Sequence, residues 1–222
     1  MARPWQTLAT VPTAEGALEL RRRGDDEFLI VIAGRVLMTS VARRSEEALA
    51  RRACAGLAGR PTPRVLIGGL GMGYTLRAAL DALPATAQVV VAELHSVVLD
   101  WCAGPLAGLT GAAVQDARVR VEIADVARVI VTAPAASYDA IVLDLYEGPH
   151  AATQRADDPF YGPAALERAR AALARGGVLA VWSEDPDAAF ARRFTAAGFE
   201  VSSHREGRGG RAHIVYLGVT VR

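Results

Sequence analysis

The 222-residue chain contains no lysine; every one of its 25 basic side chains is arginine. Together with abundant alanine, this is a mark of GC-rich coding rather than of an activity, although the pairs Arg43-Arg44 and Arg51-Arg52 remain able to meet an anion. Charge of one sign is lacking too. A net charge of +1 with scattered basic residues gives no electrostatic reason to expect nucleic acid as a partner. The two cysteines, Cys54 and Cys102, have neither a C-x-x-C nor a metal-ligand spacing, so a disulfide framework is excluded, no metal is expected, and a cytoplasmic setting is. No apolar run approaches the roughly eighteen residues of a membrane span, and Met1–Thr7 has no apolar signal core. A chain of this length can bury a full core without staples.

The remaining pattern is that of an α/β protein. Ala17–Leu20, Glu27–Ile32 and Arg35–Thr39 read as short strands of a small antiparallel N-terminal unit. Ser45-Glu46-Glu47-Ala48 then opens a helix, with Ser45 as N-cap and acids in the first turn, running to about Leu57. After Gly59-Arg60-Pro61-Thr62-Pro63 the pattern changes, which divides the chain into an N-terminal unit (1–60) and a second domain (61–222). In the second, strands are expected at Arg64–Ile67, Gln88–Ala92, Val119–Ile123, Ala140–Leu143 and Val178–Trp182, separated by helix-length segments. A closing hairpin follows at Phe199–Ser203 and His213–Val219. Continuous apolar strands of this kind are buried on both faces, so the expected fold class is α/β with a doubly wound, mainly parallel, Rossmann-like sheet.

The first of those strands breaks into Gly68-Gly69-Leu70-Gly71-Met72-Gly73. Glycines at a strand-to-helix turn let the backbone approach a ligand, and the helix starting near Tyr74 directs its unpaired N–H groups to the same place. A dinucleotide fingerprint, G-x-G-x-x-G, would need a glycine where Tyr74 stands. The spacing of Gly69, Gly71 and Gly73 is G-x-G-x-G instead, and resembles the turn of class I S-adenosylmethionine-dependent transferases.

Ligands of open α/β sheets sit outside the carboxyl ends of the strands. The second strand ends in Glu93, where a carboxylate can accept both ribose hydroxyls. The third ends near Asp125, which can take an adenine amino group or simply cap the next helix. The fourth ends in Asp144-Leu145-Tyr146-Glu147-Gly148-Pro149-His150, and it places two carboxylates, a phenol and an imidazole over the pocket. Asp144, Glu147 and His150 are therefore the candidate catalytic groups, and Tyr74, Tyr146 and Glu147 the candidate acceptor contacts. Tyr74 also reads as packing, and His150 as a solvated loop residue. Trp101 and Trp182 both follow apolar runs and read as core. Asp157-Asp158-Pro159-Phe160-Tyr161 serves equally as acceptor pocket or as a turn, and Ser183-Glu184-Asp185 adds acid at the rim.

Several stretches resemble the spermidine synthase family of polyamine aminopropyltransferases, which share the class I methyltransferase fold. These are GRVLMTS with RSEEALA, VLIGGLGMGYTLR, VVVAEL, YDAIVLDLYEGP and PFYGPAALERARAALARGGVLAVWSE. The resemblance implies that Gly69, Gly71 and Glu93 hold a nucleoside, Asp125 the adenine and Asp144 the reacting end, and that the N-terminal unit contributes to a homodimer. The chain departs from the family at two positions. Met72 stands where the family has an aspartate that helps hold the amine of decarboxylated S-adenosylmethionine, and Glu147 replaces a second aspartate.

Three functions follow. Methyl transfer from S-adenosylmethionine to a small molecule is placed first, because losing an acid at Met72 suits a donor with an intact carboxylate. Aminopropyl transfer from decarboxylated S-adenosylmethionine to a di- or polyamine is the alternative, with Asp144 and Glu147 binding the acceptor amine and taking its proton. A catalytically silent nucleoside-binding protein is the third.

Overall fold

The computed structural model describes residues 3–207 and 212–221; Met1 and Ala2, at the start of the segment read above for an export signal, lie outside them. Strands β1 (Gln6–Thr13), β2 (Gly16–Arg23), β3 (Glu27–Ile32) and β4 (Arg35–Thr39) form an antiparallel sheet in that order. The strand at β1 was not anticipated. Its sequence, QTLATVPT, contains a proline, which an edge strand tolerates because only one side of its ladder is paired.

Helix α1 (Arg44–Cys54) follows, and it buries Ala48, Leu49, Ala50, Ala53 and Cys54. The expected Ser45 cap is corrected here: the helix starts two residues earlier, behind Arg43, which makes no side-chain cap bond, and Ser45 Oγ donates instead to Glu46 Oε2. Glu46 and Glu47 in the first turn and Arg51 and Arg52 in the last still complement the helix dipole. The helix ends at Cys54, short of Leu57.

The remaining elements alternate: β5 (Arg64–Gly68), α2 (Tyr74–Ala82), β6 (Gln88–Glu93), α3 (Ser96–Ala103), α4 (Ala107–Thr110), β7 (Val119–Ile123), α5 (Val126–Thr132), β8 (Tyr138–Leu143), α6 (Pro163–Ala172), β9 (Leu173–Ser183), α7 (Ala188–Ala196), β10 (Phe199–Glu206) and β11 (His213–Thr220). Their sheet runs β10-β11-β9-β8-β5-β6-β7. Strands β7, β6, β5, β8 and β9 are parallel, while β11 and β10 close the edge as an antiparallel hairpin. Chain order reverses between β5 and β8, so a crevice opens at their carboxyl ends.

Val65, Leu66 and Ile67 of β5 and Ile141 and Val142 of β8 are completely buried, as strands covered on both faces must be. One core cluster joins Leu20, Phe28 and Ile30 of the small sheet to Leu49 of α1 and Ile67 and Val91 of the large sheet. The turn at residues 59–63 is therefore spanned by continuous packing. It is also tied down: Asp139 in β8 pairs with the Arg60 guanidinium and accepts from the Arg64 backbone N–H at 2.7 Å. Among the described residues no helix is long and apolar enough to cross a membrane.

Candidate active site

The turn after β5 is locked between its two neighbouring strands. Gly69 N donates to Ala92 O, and Asp144 N donates to Gly68 O, both at 2.9 Å. Gly69 has φ +88°, and a Cβ there would fall on the Asp144 carbonyl oxygen; Gly71 has φ +51°, and its Cβ would come within 2.7 Å of Met38 Sδ. Both positions thus require glycine by conformation and by space. Gly73, at φ +83°, precedes α2 and lies outside the cavity wall. Cys102 Sγ donates to Gly71 O at 3.3 Å, and burial pushes this thiol up to about 12, so it remains a protonated prop of the turn.

Met72 is completely buried within the core and does not reach the cavity. This position therefore presents no charge to a donor.

Glu93 is oriented by two backbone donors: Leu70 N–H bonds Oε2 and His95 N–H bonds Oε1, each at 2.9 Å. A carboxylate has about four acceptor sites, so two remain for ligand hydroxyls. Asp125 caps α5 through Oδ1, which accepts from Ala127 N at 2.8 Å, and it also lines the cavity, so the two readings of this residue coexist. Leu94, 55% exposed, and Leu145 and Val126 give the same region an apolar surface suited to a flat base.

Asp144 is half-buried where the glycine turn meets the end of β8. Burial first, and then the Glu46 carboxylate, push its acid constant up to about 7, opposed by the hydrogen bond that Thr75 Oγ1 donates to Oδ2 at 2.5 Å. Beyond it Tyr146 is 45% exposed, and Glu147 adopts φ +61°, a left-handed conformation rare for a side chain of its kind. The Glu147 carboxylate lies 3.5 Å from Arg35 of β4 and 3.5 Å from His150 Nε2. His150 Nδ1 is 3.0 Å from Gly148 O, which leaves its ring beside Glu147 but off the cavity wall. Tyr74 is not brought to the wall either: it is 4% exposed, and its hydroxyl donates to Ser40 O at 3.0 Å.

The strand ends, α1 and the small sheet enclose a cavity of about 1130 Å³, larger than the roughly 300–1,000 Å³ common for one small ligand. It extends from Glu93 and Asp125, past Asp144, to a far end formed by Glu147, Glu184, Glu206, Trp182 and His213. Trp182 packs against the core as expected and also reaches the cavity wall, where its ring is tilted against that of His213 with centroids 4.8 Å apart; Trp101, 4% exposed, is core. Asp158 accepts from Phe160 N and Tyr161 N, so its segment is a turn that nonetheless delivers Pro159 and Phe160 to the wall. Met38 and Glu46 were missed by sequence reasoning, since β4 and α1 end nowhere near a parallel strand in the sequence. His213 could have been found, because β11 runs antiparallel to β9 and so starts where β9 ends.

An α/β fold of the class I methyltransferase type, with a small antiparallel sheet over its cavity, is thus defined. No family model matches the chain. Among solved structures it is similar to spermidine synthase from Thermotoga maritima, with a TM-score of 0.78 at 17% identity over 96% of this chain and 72% of that one. A spermidine synthase in complex with the transition-state analogue AdoDATO gives a TM-score of 0.76 at 17% identity over the same shares. A probable spermidine synthase from Corynebacterium glutamicum gives 0.66 at 20% identity over 95% and 79%. The chain has the spermidine synthase fold.

Proposed function

We propose that the protein transfers an aminopropyl group from a decarboxylated S-adenosylmethionine-type donor to an amine. The observation that carries this reading is Asp144, a carboxylate raised to about 7, set between the glycine turn and an acid-lined lobe. An amine nucleophile must lose a proton near neutral pH, and a base with this acid constant is matched to that task. In the reaction the amine lone pair attacks the aminopropyl carbon attached to the sulfonium. The carbon–sulfur bond breaks, its electron pair neutralises sulfur to give methylthioadenosine, and the amine proton passes to Asp144. Gly69, Gly71, Glu93 and Asp125 would hold the nucleoside, and Tyr146 and Glu147 the incoming amine. The carboxylates Glu147, Glu184 and Glu206 line the far lobe, where Glu206 is held by Arg52 at 2.7 Å and Glu147 lies 3.5 Å from Arg35, so a cationic acceptor would compete with these arginines. Likeness of fold to spermidine synthases supports the same reading.

Methyl transfer is the second reading, favoured by Arg44. This residue lines the cavity, is exposed and makes no ion pair among the described residues, so it can meet the carboxylate of an intact donor. Calorimetric titration with S-adenosylmethionine, its decarboxylated form and methylthioadenosine in one buffer separates the two. Tighter binding of the decarboxylated donor is expected. Tighter binding of the carboxylated one would overturn aminopropyl transfer in favour of methyl transfer, and binding of none would remove the nucleoside site.

A further inference from the structure

The wall contributed by α1 carries a carboxylate that no strand end supplies. Glu46 lines the cavity together with Gly69, Gly71 and Asp144. Its Oε2 accepts from Ser45 Oγ at 2.7 Å, and neither oxygen pairs with a cation among the described residues. Of the two arginines that precede it on the cavity wall, Arg43 is spent elsewhere, 3.3 Å from Glu47 and over the Tyr74 ring, while Arg44 makes no ion pair among the described residues. Thr75 fastens the two walls to each other: its Oγ1 bonds Asp144 and lies 3.4 Å from the Glu46 carbonyl oxygen. Glu46 is close enough to Asp144 to raise the acid constant of that residue by its charge. Met38 Sδ meanwhile covers the turn at Gly71.

The nucleoside end of the cavity therefore leads, beneath a thioether, to two neighbouring carboxylates, neither of them ion-paired among the described residues, with the unpaired Arg44 on the same wall. The carboxylate pair attracts an ammonium on a short apolar chain and repels a carboxylate placed beside it, and only Arg44 opposes that preference. We propose that Glu46 determines donor specificity: its carboxylate pairs with the primary ammonium of the aminopropyl sulfonium donor and discriminates against the donor that still carries a carboxyl group. The role at Glu46 replaces the one that the buried Met72 cannot fill, and it rests on the aminopropyl reading.

The test is calorimetry on the full-length protein and on Glu46→Gln and Glu46→Asp, with the decarboxylated donor, S-adenosylmethionine and methylthioadenosine, which has no charged tail. Glu46→Gln should weaken the decarboxylated donor about tenfold or more, the worth of a charge-assisted hydrogen bond. It should leave methylthioadenosine unchanged, which also reports that the variant is folded, and narrow the preference over S-adenosylmethionine. Glu46→Asp should restore part of the loss. An equal loss for methylthioadenosine and the decarboxylated donor would reduce Glu46 to a structural role, and no loss for either would overturn the proposal outright. A wild-type preference for S-adenosylmethionine would instead sink the aminopropyl reading itself, so the two failures are distinguishable.

Discussion

Replacing Asp144 by asparagine should stabilise the protein while abolishing its chemistry. The wild-type carboxyl is raised from the ordinary 3.8 to about 7, chiefly by burial and secondly by Glu46. A folded-state acid constant above the unfolded one means that the folded protein holds the proton more tightly. The carboxyl is thus no burden below about pH 4, its cost accumulates as pH rises from about 4 to about 7, and it stays constant above. At about 1.4 kcal/mol per pH unit the full cost is about 4 kcal/mol, an upper bound because the cavity admits water to a half-buried group. Asparagine has the same shape, keeps an oxygen for Thr75 and never ionises. Urea denaturation of both proteins should give a stability advantage to the variant of about 1 kcal/mol at pH 4.5 that widens to about 2–4 kcal/mol at pH 8. For a chain of this size that is a rise in Tm of roughly 4–16 °C at the higher pH. Equal stabilities at both pH values, or an advantage that shrinks as pH rises, would refute the claim that Asp144 is held as a strained base. Retention of turnover by the folded variant would refute its role in taking the proton.

Gly69→Ala should destabilise the fold by about 2 kcal/mol or more and eliminate methylthioadenosine binding, since the new methyl meets the Asp144 carbonyl oxygen at a positive φ; thermal melts and calorimetry read the two effects separately. Glu93→Ala removes the acceptor of two backbone N–H groups, so the structure predicts a loss of about 1–3 kcal/mol in urea denaturation along with weaker nucleoside binding. Unchanged affinity for methylthioadenosine in Glu93→Ala would show that the ribose lies elsewhere.

The parallel part of the fold is legible from the chain because Val65–Ile67, Val89–Val91 and Ala140–Leu143 combine apolar composition with glycine or acid at their ends, and local chemistry there coincides with the global topology. The rule that ligands gather at strand ends then leads to Gly69, Gly71, Glu93, Asp125 and Asp144 without any coordinates, and all five line the cavity. What the rule cannot reach is the opposing wall. Glu46 reads locally as an acid in the first turn of a helix, where the dipole alone accounts for it, and Met38 reads as an inward residue of a half-buried strand. Each acquires a place in the cavity only because α1 and the small sheet pack across the large sheet, a long-range arrangement that no spacing along the chain records. The turn that displays Gly69 and Gly71 to the cavity directs the Met72 side chain, between Gly71 and Gly73, into the core. The neighbouring layer brings a carboxylate to the cavity at Glu46, 26 positions upstream, and the proposed donor specificity assigns to it the role that the buried Met72 cannot fill.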